Sequence, residues 1–295
     1  PLVPAADPAW WWGLRDWSVA PEPVRDPDDP LVVSASMLDG LLTCPAQWFL
    51  AKEAGGVVAN TQAQGFGNVV HVLVDRVVRE DFGDPSAVSV EVLMRHVDAV
   101  WGQIPFRTPW SGRKERAAVE DALGRYLRWQ AANPRTYLGS EERFTVDVDV
   151  DGEPVRLHGY ADRVELDTQE RVVVVDFKTS KYPPRVEDVK ENAQLGLYQL
   201  ATEAGAFDHL LGERPAEIGG AELVQLRIES RGAVKVQQQA PQQPDEDGRR
   251  VVEVQLAGAV RRVREEDFPA VAGGHCDHCD FTMLCPTRTS GTVMS

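Results

Sequence analysis

Two carboxylates and an amine stand where a tight hairpin would bring them together. The segment 154–167 (PVRLHGYADRVELD) and the segment RVVVVDFKT that starts at Arg171 both read as strands, with a short polar turn about Gln169 between them. Pairing about that turn sets Asp162 opposite Asp176, with Cβ atoms about 4.5–5.5 Å apart. Alternate residues of a strand share a face, so Lys178 projects on the same side as Asp176. Carboxylates held this close repel unless a cation lies between them or one keeps its proton, and their oxygens suit a hard cation such as Mg²⁺ or Mn²⁺. Such an ion polarises a phosphodiester and acidifies water, and Lys178 can orient that water or offset phosphate charge. The plainer alternative pairs Asp162 with Arg163 or another surface cation, leaving Asp176 and Lys178 at an exposed strand end.

A second set of reactive residues comprises all four cysteines, Cys44, Cys276, Cys279 and Cys285, the last three spaced C-x2-C-x5-C. In a chain with no secretory signature such clustering favours metal over disulfides. Four thiolates suit either tetrahedral Zn²⁺ or an iron–sulfur cluster, and spacing does not separate the two. His275 and His278 add a zinc set that would omit Cys44. Either way, a link from Cys44 to the C-terminal cysteines closes a very long loop and restricts the unfolded chain, a structural role.

The elements that must position these groups follow from hydrophobic period. Residues 34–52 carry helical spacing with a break at Cys44, because Pro45 follows it. Further helices are predicted over 66–81, 88–102 and 113–132, then strands over 142–150, 154–167 and 171–179, with Asp151-Gly152 as a hairpin turn. The valines at 172–175 predict burial on both faces, the middle of a sheet. Helical spacing returns at 186–204, where Gln194 and Tyr198 lie one turn apart on one face. A strand at 221–230, a polar loop or disordered insert at 237–248, and a helix near 250–266 complete the pass. No internal repeat occurs.

The 295 residues are long enough for one main core. No run of about 18 apolar residues and no basic-then-apolar start occurs, which predicts a cytoplasmic protein with no membrane partner. Residues 1–33 begin with Pro1, not Met, and are rich in Pro, Asp and Trp. They read as a linker or a docking segment in which Trp10, Trp11, Trp12 and Trp17 find a surface. Residues 287–295 read as a tail. A net charge of −15 is a poor footprint for a free-standing nucleic-acid binder, so a DNA substrate implies delivery by something else. The local basic stripe of Arg113, Lys114, Arg116, Arg125 and Arg128 reads first as a solvated helix face.

The segments GYADRVE (159–165), VVDFKTSK (174–181) and AQLGLYQL (193–200), with Gly67-Asn-Val-Val-His71 upstream, resemble in order the motifs of the RecB-like branch of the PD-(D/E)XK nuclease superfamily. The chain departs from the superfamily letters in having Val175 before Asp176, the first acid being Asp162. The resemblance spans about residues 34–286 and implies a restriction-endonuclease-like α/β fold. That fold is a short mixed sheet flanked by helices, with a helical N-terminal region and a C-terminal iron–sulfur lobe. It implies His71, Asp162, Asp176 and the Phe177 carbonyl as metal ligands, and Gln194 and Tyr198 beside Lys178 on the DNA side.

One cysteine ahead of the core and three behind it, with SMLDGLLTCPAQWFL (36–50), further resemble AddB-type and actinobacterial AdnB-like nuclease domains. Those imply a [4Fe–4S] cluster on Cys44, Cys276, Cys279 and Cys285. They also imply a module of a helicase-nuclease that resects double-strand breaks for recombinational repair. Single-stranded DNA would arrive from a helicase-like domain of the same chain, with a second helicase-nuclease subunit as partner. The chain itself has no G-x-x-x-x-G-K-[ST] phosphate loop. Two competing expectations are a catalytically idle DNA-path or scaffold module, against which His71, Asp162, Asp176 and Lys178 stand intact, and a stand-alone zinc-stapled nuclease.

Overall fold

The computed structural model describes residues 22–56 and 62–287, so the four N-terminal tryptophans and most of the 287–295 tail lie outside the described residues. The described chain forms two compact units, a larger one of residues 32–38 and up to 257 from the start of the second described stretch, and a smaller one of the remainder. In chain order the helices are α1 (Ala35–Thr43), α2 (Pro45–Lys52), α3 (Gln62–Val78), α4 (Val90–Trp101), α5 (Pro109–Ala132), α6 (Val186–Lys190), α7 (Ala193–Glu203), α8 (Asp208–Leu211) and α9 (Val251–Arg264). The strands are β1 (Leu31–Val33), β2 (Thr136–Val150), β3 (Glu153–Leu166), β4 (Val172–Lys178), β5 (Ile218–Ser230) and β6 (Ala233–Gln239).

The larger unit is built on one mixed sheet of order β1-β3-β4-β5-β6, with β2 also paired to β3. Strands β2, β3 and β4 run antiparallel in turn, β4 and β5 run parallel, and β6 returns antiparallel. The first hairpin turns on Asp151 and Gly152 at φ 55° and 86°, the left-handed pair that a two-residue turn requires. Valines 172–175 lie between two strands and under helices on both faces, and none exceeds 5% exposure. Val173, Val175 and Phe177 point into a core with Phe66, Val70 and Leu73 of α3, Leu93 of α4 and Leu123 and Tyr126 of α5. Each such side chain contributes roughly 1.5–3 kcal/mol on burial. The intervening residues of β4 face α7, which packs on β4 and β5.

Three stretches differ from the sequence expectation. The helix expected over 186–204 is two, because Asn192 leaves the helical conformation and its side chain caps α7 by accepting from the Leu195 N–H at 3.0 Å. Leu31–Val33, inside the stretch read as linker, is a strand with Leu31 and Val33 buried. The polar insert expected at 237–248 begins instead as the end of β6, with Gln237 and Gln239 buried. Their amides are satisfied: Gln239 Nε2 donates to the Val189 carbonyl at 2.9 Å and Gln237 Nε2 to that of Pro184 at 2.9 Å. A polar side chain is tolerated inside when its hydrogen bonds are made, and composition alone does not reveal the partners.

In the smaller unit Cys44 occupies the cap position of α2 with Pro45 at the first helical position, the break expected from the sequence. Trp48 and Phe49 pack on Phe268, with ring centroids 5.7 and 4.8 Å apart. Arg264 donates to the carbonyls of Asp26 and Asp29, so early and late parts of the chain are joined here.

Candidate active site and metal centre

The ladder between β3 and β4 runs Leu166↔Val172, Glu165↔Val173, Val164↔Val174 and Arg163↔Val175. Its next step sets Asp162 opposite Asp176, the register the sequence predicts. Asp162 Oδ2 accepts the Phe177 backbone N–H at 2.7 Å and lies 3.4 Å from His71 Nδ1 on α3. Glu141 of β2 joins them: ligand atoms of His71, Glu141 and Asp162 all lie within 4.8 Å of one another. With Ser140 opposite Arg163 and Glu142 opposite Ala161, Glu141 falls opposite Asp162. Its φ of 50° is rare for a residue with a side chain and costs roughly 1–2 kcal/mol.

Asp176 is held from the other side. Gln194 Nε2 donates to Asp176 Oδ1 at 2.6 Å, the Tyr198 hydroxyl lies 3.2 Å from the same oxygen, and Lys178 Nζ pairs with Oδ2 at 2.8 Å. Lys178 Nζ also donates to Gln194 Oε1 at 2.7 Å, and Gln194 Nε2 to the Tyr198 hydroxyl at 2.9 Å. Asparagine capping at residue 192 puts Gln194 in the first turn of α7, and one turn on comes Tyr198.

The charges set the titration. Burial pushes the Asp176 carboxyl up, and the charge of Asp162 adds to this against the opposing pull of Lys178. Burial and the same two aspartates push the Tyr198 hydroxyl well up. Burial also disfavours the His71 imidazolium, but the hydrogen bond and charge of Asp162, with Asp176 and Glu141, outweigh it and raise the group. Glu141 is raised by burial and then by Asp162. Beyond burial, neighbouring carboxylates contribute to every one of these shifts, and negative charge gathered in this way is what a divalent cation relieves. One imidazole nitrogen and several carboxylate oxygens form a donor set that fits Mg²⁺ or Mn²⁺.

The centre lies in an open cleft of about 780 Å³ lined by Gly67, His71, Asp75, Glu141, Asp162 and Thr179, among others. A Cβ added at Gly67 would stand 3.1 Å from the Thr179 hydroxyl, so the glycine of Gly-x-x-x-His lets α3 approach the end of β4.

The sequence-predicted residues thus form two adjoining groups. His71 and Asp162 meet Glu141, whereas Asp176, Lys178, Gln194 and Tyr198 bond to one another. The Phe177 amide serves Asp162, and its ring packs edge-on against Tyr126 and Trp129 at 5.6 and 5.4 Å. Arg163 does not pair with Asp162; it turns to the other face and pairs with Glu165. Glu141 is the residue that sequence reasoning missed. Carrying the Asp151-Gly152 hairpin one residue past the predicted start of its first strand would have set it opposite Asp162.

All four cysteines belong to the smaller unit, and none forms a disulfide. Among the described residues no three of the thiols, alone or with His275 and His278, converge to within 4.8 Å. A single tetrahedral zinc with bonds of about 2.3 Å requires tighter convergence than that. Cys44 Sγ accepts the Val271 N–H at 3.5 Å and Cys276 Sγ lies 3.9 Å from the carbonyl of the same residue. The Gly273 and Phe281 N–H groups donate to Cys276 and Cys279, each at 3.4 Å.

A sheet of this topology carrying paired carboxylates and a lysine beside a histidine-bearing helix is the site of a nucleic-acid-cleaving enzyme class. The family model of the PD-(D/E)XK nuclease superfamily matches residues 32–286, and the chain belongs to that superfamily. No curated protein matches the chain. Among solved structures, the crystal structure of SSO0001 is similar over 88% of this chain and 88% of its own, at 13% identity and a TM-score of 0.40. Among the described residues no helix is long and apolar enough to cross a membrane.

Proposed function

We propose that this chain is a deoxyribonuclease that holds Mg²⁺ or Mn²⁺ on His71, Glu141 and Asp162, with Asp176 in the adjoining group. The observation that carries this reading is the convergence of those ligand atoms from three separate elements, α3, β2 and β3, on the mouth of an open cleft. A cation there would polarise a phosphodiester and lower the pKa of a bound water. The chain's own groups do the positioning. The Phe177 amide fixes the Asp162 carboxylate, while Gln194 and Tyr198 fix Asp176. Lys178, bound to Asp176 and Gln194, is the ammonium that would offset phosphate charge or orient a water. The test is cleavage of single-stranded DNA with Mg²⁺, with Mn²⁺ and with EDTA, by this chain and by Asp176→Ala. Metal-dependent cutting lost in the variant supports the reading; cutting that persists in Asp176→Ala or in EDTA rejects it.

The order of these motifs supports placing the chain in the RecB-like branch, as an exonuclease-type module of a helicase-nuclease that resects double-strand breaks. The charge of −15 supports delivery of the strand by a motor rather than capture by the domain itself. The same reading assigns Cys44, Cys276, Cys279 and Cys285 to a [4Fe–4S] cluster. In its favour are their confinement to one unit, the shared contact of Cys44 and Cys276 with Val271, and the N–H groups aimed at three of the sulfurs. Backbone N–H donors to sulfur stabilise cluster thiolates. A brown protein that bleaches and loses thermal stability in Cys279→Ala supports the cluster. A colourless protein purified without oxygen, with iron absent by elemental analysis, rejects it.

A further inference from the structure

A second pocket, of about 280 Å³, opens beside the first, lined by Lys114, Glu115, Asp121, Arg125, Lys181 and Arg227, with Ala118 and Ile228. The two pockets share one short segment: Thr179 and Ser180 line the first and Lys181 the second. Four cations thus face two carboxylates in a chain whose overall charge is strongly negative. Glu115 organises the cations rather than cancelling them, bonding Lys181 Nζ at 2.9 Å and Arg227 Nη2 at 2.7 Å. Arg125 donates to the Leu226 carbonyl at 3.2 Å and stands 3.6 Å from Glu229. Lys114 lies over the Trp110 ring at 5.4 Å, and Trp110 is 63% exposed. Tyr182, next to Lys181, is 87% exposed. Large aromatic faces left in water beside clustered cations are the two components of a single-strand platform, one for bases and the other for phosphates.

We propose that this pocket is a strand track: it seats two successive backbone phosphates of a single-stranded polynucleotide whose neighbouring segment enters the metal cleft, with Trp110 and Tyr182 as stacking faces. The proposal rests on the nuclease reading of the first site and extends it to the substrate's path. Of the basic stripe seen in the sequence, Arg116 takes no part, since it is paired with Asp98 at 2.6 and 2.8 Å.

The test is binding of a labelled single-stranded oligodeoxynucleotide, long enough to cross both pockets, by fluorescence anisotropy over a range of salt. EDTA is present so that metal-dependent cutting is off. Lys114 and Lys181 are exposed, so Lys114→Ala/Lys181→Ala keeps the fold. Each phosphate left without its cation makes the log–log salt slope shallower by about 0.7, so the double variant is expected to bind about tenfold more weakly at low salt with a slope shallower by about 1.4. Trp110→Ala is expected to weaken binding about tenfold with the slope unchanged. An unaltered slope in the double variant, or no binding by the unsubstituted chain, overturns the track. Cleavage in Mn²⁺ is measured separately. A chain that cuts while its slope is unmoved loses the track and keeps the nuclease, and one that shows the expected slopes but never cuts does the reverse.

Discussion

Asp162 Oδ2 is shared between two elements: it accepts the Phe177 amide of β4 at 2.7 Å and faces His71 Nδ1 of α3 at 3.4 Å. One carboxylate oxygen therefore ties the position of the histidine to the strand that carries Asp176. Asp162→Asn keeps the shape but presents an amide and removes the charge. Cleavage in Mn²⁺ is expected to fall at least about a hundredfold, the loss of several kcal/mol of charge stabilisation, with little change in melting temperature. Near-normal single-turnover rates would remove Asp162 from the centre.

Glu141 combines a strained backbone with a place at the proposed metal site. Glu141→Gly relieves the positive φ, though it raises the entropy of the unfolded chain, and a net stabilisation of up to about 1 kcal/mol is expected. Mn²⁺ affinity, read by calorimetric titration, is expected to fall by about 10- to 100-fold. A variant that loses stability and retains its metal affinity would mean that the conformation serves the sheet alone.

Gln194 makes three bonds at once, to Asp176, Lys178 and Tyr198. Gln194→Ala removes one acceptor from the Lys178 ammonium, which stays paired with Asp176, and releases Asp176 from one of its donors. An activity loss of about tenfold is expected, with about 1–3 kcal/mol of stability lost in urea unfolding because three hydrogen bonds are removed from a partly buried network. Loss of stability with full activity would place Gln194 outside the chemistry.

Beneath the site lies a buried ionic network. Arg135 bridges Glu222 at 2.7 Å and Glu165 at 3.3 Å, Arg163 pairs with Glu165, and neither glutamate exceeds 2% exposure. Arg135→Met strands carboxylates in the interior, and a destabilisation of about 3–5 kcal/mol is expected by urea unfolding. A change under about 1 kcal/mol would show that Arg163 alone compensates both acids.

Glu115 gives stability a pH dependence away from the proposed metal site. Burial disfavours its charge, but the hydrogen bonds and charges of Lys181 and Arg227 outweigh this and hold the carboxyl below its ordinary value of 4.5. A depressed folded-state pKa stabilises fully above the unfolded value and is lost as pH falls through the folded one. The stability difference between the chain and Glu115→Gln is therefore expected to be largest at neutral pH and to shrink below about pH 4.5. A difference that grows on acidification would reverse the sign of that assignment.

The sequence by itself determined the register of the hairpin that carries Asp162 and Asp176. A turn about Gln169 and the two-residue period leave Asp162 one place to go, opposite Asp176, with Lys178 on the same side. It equally determined α3 and α5 through their apolar period and the helix break at Cys44 through Pro45. These are local properties, set within a few residues by sterics and by water. The partners of Gln237 and Gln239 and the pairing of Arg135 with Glu165 and Glu222 belong to the other kind. Each depends on which distant element comes to lie alongside: the α6–α7 junction lying against β6, and Arg135 reaching both acids. A buried polar side chain is stable only where its partners arrive, and their arrival is a property of packing that neighbouring residues do not encode.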